Sequence, residues 1–570
     1  MKYLRRNVGA LAALVAILNA SLTFSAEEPT IEQFGFQGTQ VNNEPTERAL
    51  LVIMAQFAPV AIASIDNATQ IRINVNSTLT ASNLTLTVRR SGTIVRTLVG
   101  SMISGSNIIS VNTTSGIQVN DQISSTENEP NGNIQPVAPF DPAHTVAYFD
   151  SLIFDPLHPL TTQSMYSYFK EISNGRFLWT KAGIIAPLPF PASQRRFTYP
   201  GADRSQEYYS NMIASAMISE KAKLDAMLPG INIGRFDRNG DHEITPDELQ
   251  IMIITNDSDV ANRNAGFTKP PGFSYGIRAW QVAALSDSND FATRCHELCH
   301  GLGAIDLYGG SGLSTNLTLM GGTFGAPNAT PIYHLDPWHK MHFGWSRPRI
   351  RSLQVGGIET IPAAQMLQVN APIIYYDPDP ERGTREFFMF EYRTASSPNG
   401  SGYDGQVAGN GLVIWRVQLN AAGFYFNVPN LIFPLRDDNT VWSEGPPTFA
   451  RGSTSVWTAA SPSPVLAWAD GTESRTRFLV RAFNIGDPTI TIEVFAAEDT
   501  WVDFAYPGVP SSPETGAFTT PFNTVDEGVG AVSWGGILHF KAGSTPVRPK
   551  ITKPMTLEAY NGPVIIGWSP

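Results

Sequence analysis

Two histidines four residues apart, a glutamate beside the first and an aspartate reached through glycines make up RCHELCHGLGAIDLYGG, residues 294–310. No other stretch restricts the folding of this chain as tightly. Residues four apart lie one above the other on a helix, so His296 and His300 share a face and can reach one ion, with Glu297 offset beside them. Phe291, Cys295, Leu298, Cys299 and Leu302 form an adjacent apolar stripe, so the helix predicted over 291–302 lays one side on a core. Gly301 and Gly303 allow the sharp turn that brings Asp306 back toward the pair. Zn²⁺ takes imidazole nitrogen and carboxylate oxygen in tetrahedral array, and a catalytic site keeps one position for water. The pKa of that water falls to about 7, which suits a neighbouring carboxylate acting as base. His296, His300 and Asp306 are therefore the expected zinc ligands and Glu297 the expected general base. The pattern is short, and a satisfied pairing of two helical histidines is the plainer reading of the same letters.

Two further residues belong to this expectation. Met320 lies in a tight glycine turn in LTLMGGTFG, matching the methionine turn under metal sites of the HExxHxxGxxH type, although methionine is also a common core filler. Tyr308 is placed to hydrogen-bond a developing oxyanion, or to pack at the start of a loop. Asp306 stands ten residues after His296, the offset of the third ligand in that motif, with Asp in place of His.

Together with other runs, these residues resemble the immune inhibitor A group of secreted zinc metallopeptidases. RALLVIMAQF is similar to that family's opening strand, MYSYFKEISNGRF to its Tyr-rich helix, DPWHKMHFGW to the segment after its methionine turn, and FFMFEYR with GLVIWRV to its downstream strand pair. The likeness spans residues 48–58 and 143–418. It implies a zincin/metzincin-like α/β catalytic domain, zinc held by His296, His300 and Asp306, Glu297 as general base, and protein or peptide substrates. The chain departs from the family at Cys299, where glycine is frequent, and in a β-rich stretch that interrupts the catalytic domain.

At 570 residues the chain exceeds one hydrophobic core, so several domains are expected. With 48 Gly and 42 Pro, the composition points to many strands and turns, and the fold class expected is multidomain α+β. MKYLRRN, VGALAALVAIL and TFSAEEP read as the basic, apolar and cleavage regions of a signal peptide over 1–26, so the mature protein is expected to be secreted. A membrane anchor is the alternative, but the apolar run is shorter than the roughly 20 residues a span requires, and no later segment is long enough. A leader over 27–47 precedes the catalytic domain at 48–347. Alternation of apolar and polar residues over 66–128 marks a β-rich insert within it. Short strands over 348–498 read as a β-sandwich, and closely spaced ones over 499–570 as a small β-helix-like tail. The net charge of −11 offers no basic surface to nucleic acid. Cys295 and Cys299 are the only cysteines; one helical turn apart, they are expected as buried free thiols.

A second cation site is expected in FDRNGDHEITPDEL. Asp237, Asn239 and Asp241 alternate, Glu243 offers its backbone carbonyl, Thr245 takes the water-linked position and Glu248 stands at position twelve, the ligand pattern of a Ca²⁺ loop. His242 replaces the usual glycine at position six, and His is among the residues tolerated at positive φ. Thr245-Pro-Asp-Glu248 also spells a helix capping box. Because LQIMIITN continues as a strand, the expected role is a structural clip. His334, His339 and His342 read as packing and surface residues. The functional expectation is a secreted zinc endopeptidase, against a catalytically inactive, peptidase-like binding protein and, more remotely, a metallohydrolase of non-peptide substrates.

Overall fold

The computed structural model describes residues 29–36, 46–74, 80–125, 140–156, 163–191, 205–256, 265–307, 317–321, 332–419, 432–434, 465–495, 500–508 and 514–567, apart from 104, 354, 367, 380–381, 396–402, 406, 408–409, 473, 475, 483, 485, 533–535 and 554. The expected signal peptide and Tyr308 lie outside the described residues. The protein is a multidomain, strand-rich α+β molecule. It divides into two compact units. One holds the described residues from 46 to 306 and Ile332; the other holds 29–36, Leu307, 317–321 and those from 333 onward.

In the first unit, β1 (Thr46–Phe57) runs ALLVIMA through its centre, and Leu50, Leu51, Val52, Ile53, Met54 and Ala55 are all buried. A strand covered on both faces has no need to alternate. The chain then leaves this layer for β2 (Ile62–Asn67), β3 (Gln70–Ile73), β4 (Ala81–Arg90), β5 (Thr93–Met102), β6 (Ile108–Val111) and β7 (Gln122–Ser125), one antiparallel sheet in the order β2-β3-β6-β5-β4-β7. Its alternating residues close a core of their own from Ile71, Leu86, Val88, Leu98 and Ile109. The chain returns through α1 (Val146–Phe154) and α2 (Met165–Ile172) to β8 (Phe177–Phe190). After α3 (Ser205–Asp225) come β9 (Glu243–Ile244), β10 (Gln250–Thr255), β11 (Gly266–Thr268), β12 (Gly276–Ala279), β13 (Ala283–Ser286) and α4 (Phe291–Gly301).

The central sheet is wholly parallel in the order β13-β10-β1-β8, with Leu50 opposite Gln250 and Met252 opposite Ala283. Helix α3 lays Tyr208, Tyr209, Met212, Ile213, Ala216 and Met217 into the core with Leu51, Ile53 and Ile251. Ile218, adjacent to this stripe, is 53% exposed. The next inward position is taken by Glu220, whose carboxylate accepts from the Ile231 amide and pairs with Lys223.

The second unit begins with a segment expected as a polar leader. Phe34 is fully buried, its ring edge-on to Tyr376 and Phe387 at 5.8 and 5.0 Å, so part of 27–47 is packed structure. A turn at Leu319–Gly321 and α5 (Pro337–His342) lead into β14 (Arg349–Ser352), β15 (Gly357–Pro362), β16 (Ile373–Tyr376), β17 (Glu386–Arg393), β18 (Gly411–Gln418), β19 (Ile432–Pro434), β20 (Arg477–Ala482) and β21 (Thr489–Phe495). These form a five-stranded sheet, β14-β16-β17-β18-β19, and a three-stranded one, β15-β21-β20. Phe390 of the first meets Phe478 of the second at 5.5 Å, and every residue of β17 is buried. The chain continues through β22 (Thr500–Val502), α6 (Val525–Ala531), β23 (Ile537–Thr545) and β24 (Thr556–Ile566). The three strands pair in parallel, with Val502, Val525, Leu538 and Phe540 in their core. Among the described residues no helix is long and apolar enough to cross a membrane.

Candidate metal site

The helix that carries the motif is fixed at both ends. Asp290 caps its start, its carboxylate accepting from the Thr293 amide at 2.7 Å. The buried Arg294 side chain donates to the carbonyls of Asp287 and Asn289 at 2.7 and 2.9 Å and lies over the Phe149 ring, tying α4 to the turn after β13 and to α1. Ala292, Cys295, Leu298 and Cys299 face the core. Both thiols are free and buried, and burial pushes the Cys295 thiol well up, away from the reactive thiolate.

At its other end the helix stops because its last carbonyls are taken locally. Leu302 and Ala304 donate their amides to the Cys299 carbonyl, and Gly303 donates to that of His300. Gly303 sits at φ +100°, a left-handed conformation that glycine adopts without strain. Gly301 is required for a different reason: a Cβ there would lie 2.9 Å from the Gln250 amide.

This turn carries the chain back on itself. His296 and His300 approach Nε2 to Nε2 at 3.1 Å, and Asp306 Oδ1 stands 3.1 Å from the first and 3.2 Å from the second. Among the described residues it is the one group of three or more His, Cys, Asp or Glu side chains whose donor atoms converge in this way. Nδ1 of His300 lies 2.8 Å from the Ala304 carbonyl; a proton on that nitrogen leaves Nε2 bare in the neutral ring. The His296 side chain is fully buried, that of His300 is 11% exposed and that of Asp306 is 42% exposed, so the triangle opens to solvent on the aspartate side.

The charges pull together. Burial raises the Asp306 carboxyl, but hydrogen bonds from both imidazoles outweigh it and hold the group well below the usual carboxylate range. Burial likewise lowers His300, yet its bond to Asp306, the aspartate charge and the charge of Glu297 lift it above its ordinary value. Glu297, half-buried on the same helix, is thus close enough to be felt electrostatically at the triangle. Zinc ligands at roughly 2.0–2.1 Å in a tetrahedron stand about 3.3–3.4 Å apart, and this triangle is tighter by only about 0.2 Å. Two nitrogens and a carboxylate oxygen at these separations fit one such ion.

Met320 is fully buried, and its carbonyl accepts from the amide of Leu307, the residue after Asp306, at 2.9 Å; its turn is held by the Thr318 hydroxyl on Asp336 and by Arg393 on the Leu317 carbonyl. His334, His339 and His342 are buried with separate partners, Lys340, Asp336 and the Gly35 carbonyl, and form no common site. In the acidic loop, Asp237 accepts from the amides of Gly240 and His242, Asn239 from Asp241, Asp241 from Glu243, and Glu248 from Arg238 and Thr245. His242 takes φ +67°, and the Glu243 carboxylate is paired with Arg278. Sequence reasoning passed over Arg48 and Gln250, which reach the end of α4 from β1 and β10. No model of a known protein family matches this chain, and neither does any curated protein.

Proposed function

We propose that this chain is a secreted, zinc-dependent endopeptidase with a zincin/metzincin-like catalytic domain of the immune inhibitor A type. The observation that carries the reading is the triangle of two imidazole nitrogens and one carboxylate oxygen, with Glu297 on the same helix. Zinc bound there supplies a Lewis acid that polarises a peptide carbonyl and acidifies water. His296, from its buried position, and His300, braced through Nδ1, hold the donor nitrogens still; Asp306 completes the set from the open side. Glu297 accepts a proton at its carboxylate from the attacking water and returns it to the departing amine nitrogen. That cycle opens the peptide bond with atoms and charge balanced.

Ca²⁺ in the loop from Asp237 to Glu248 belongs to the same proposal, as a structural clip. Its support is the spacing of the oxygen ligands and the left-handed backbone at His242, the position where the turn is sharpest.

The test is hydrolysis of unfolded casein by the wild-type chain and by Glu297→Gln. The variant is expected to keep zinc at one ion per chain and lose about 10²–10⁴-fold in rate, the usual contribution of a general base. Wild-type turnover that survives removal of zinc by a strong chelator sinks the proposal. A wild-type chain that holds zinc but cleaves no peptide is instead a peptidase-like binding protein.

A further inference from the structure

The last carbonyl of α4 needs a donor from outside the helix. Where the helix stops, Gly301 has no amide four residues on to bond it. The donor comes from β1: Arg48 Nη1 reaches the Gly301 carbonyl at 3.2 Å in a part-buried contact. The same guanidinium turns Nη2 to Asp247 at 2.6 Å. A cation at a helix C-terminus is also favoured by the helix dipole. On its other side Gly301 is floored by Gln250, whose buried amide is fixed by bonds to the carbonyls of Ile251 and Gln281, each at 3.2 Å. The residue after His300 is therefore boxed between two side chains that come from adjacent strands of the central sheet.

Its position governs the geometry of the next five residues. Only Leu302 separates Gly301 from the left-handed turn at Gly303, and that turn sets where the Ala304 carbonyl meets His300 Nδ1 and where Asp306 meets both Nε2 atoms. An error at the Gly301 carbonyl is passed on to the brace on His300 and to the position of Asp306. Groups that orient metal ligands in this way typically contribute 10–100-fold in metal affinity.

We propose that Arg48 is a positioning residue for the His296–His300–Asp306 site, holding the end of the donor helix so that the turn beyond it delivers Asp306 to the two imidazoles. The proposal rests on the zinc reading. Arg48 touches neither substrate nor metal. Its geometry is the reason lysine is a poor replacement: one ammonium lacks the fork that serves the Gly301 carbonyl and Asp247 together.

The probe is Co²⁺ titrated into the metal-free full chain, with affinity and ligand field read from visible absorption. Amide hydrogen exchange over 302–306 is measured separately without metal. Arg48→Ala is expected to bind Co²⁺ about 10-fold more weakly, with shifted bands and faster exchange in that segment, and Arg48→Lys to recover part of each. Asp247→Asn keeps an acceptor for that arm and removes only the charge of an 81% exposed carboxylate, and a change below about 3-fold is expected. Should Arg48→Ala not fold, Arg48→Lys carries the measurement against the wild type. Wild-type affinity, bands and exchange in the folded arginine variants overturn the inference while leaving the zinc reading intact; so does a lowered unfolding midpoint with an unchanged spectrum. A wild-type chain that takes neither Co²⁺ nor Zn²⁺ overturns both.

Discussion

The triangle of His296, His300 and Asp306 and the acidic loop from Asp237 to Glu248 are both candidate cation sites in the same unit, and they are built on opposite principles. In the triangle the donor atoms face one another, and what braces them lies behind: the Ala304 carbonyl at His300, and Arg48 and Gln250 at the helix end. In the loop the side-chain oxygens face the chain itself. Asp237 and Glu248 each accept from two amides through separate oxygens, and the Glu243 carboxylate is engaged by Arg278. A loop so arranged is a self-consistent turn before any ion arrives, although each carboxylate oxygen retains a second lone pair. The triangle instead turns donor atoms of two kinds onto one point, with the Asp306 carboxylate accepting from both rings. Convergence of unlike donors is thus the better mark of a metal site than a count of acids.

The largest expected effect breaks the triangle directly. His300→Ala removes one donor and the ring braced by Ala304, and zinc affinity should fall by more than the roughly 10–100-fold that an outer partner costs. Calorimetry or chelator competition with the purified chain measures it, and unchanged zinc affinity in the folded variant removes the site from consideration. The same change should leave any Ca²⁺ response of the loop untouched, which separates the two regions. Gly301→Ala tests the bracing behind the triangle. The new Cβ, 2.9 Å from the Gln250 amide, forces that packed side chain or the helix end to move, at a cost of about 1–3 kcal/mol in urea unfolding and with weakened zinc binding. A neutral outcome in both measurements means that the end of α4 yields freely.

How much of this was legible in the sequence depends on how far apart the cooperating residues are. The donor helix, its apolar stripe and the return of Asp306 depend on residues within one short run, so spacing and two glycines were enough to expect them. The antiparallel insert was visible for a similar reason, since one covered face imposes alternation on each strand. The bracing was invisible: Arg48 and Gly301 are 253 residues apart, and nothing in RALLVIMAQF marks its arginine as a cap for a distant helix. Strand β8 was not anticipated, and it carries Pro187 and Pro189. It lies at the edge of the central sheet, where a missing amide donor is tolerated. Phe34 and Phe36 were passed over because two buried aromatics in a polar leader leave no periodic trace.

The smallest expected effect sharpens the comparison from the loop's side. If the loop is a turn held by its own carboxylates, Glu248→Gln should destabilise the ion-free protein. Glu248 is buried, and its Oε1 and Oε2 accept from the amides of Arg238 and Thr245 at 2.9 and 3.0 Å. Gln places an NH₂ group where one of those amides donates, leaving two donors opposed, so a loss of about 1 kcal/mol is expected in urea unfolding with calcium chelated. If the loop is also a Ca²⁺ site of the affinity usual outside cells, a Kd of about 1 mM, then about 10 mM Ca²⁺ should stabilise the wild type by about 1.4 kcal/mol. Glu248→Gln should forfeit most of that gain, because position twelve supplies two of the oxygens. The two numbers separate the roles. A loss without calcium and no gain with it leaves a capping turn, whereas a gain that vanishes in the variant gives the loop an ion that its carboxylates must turn away from the chain to hold.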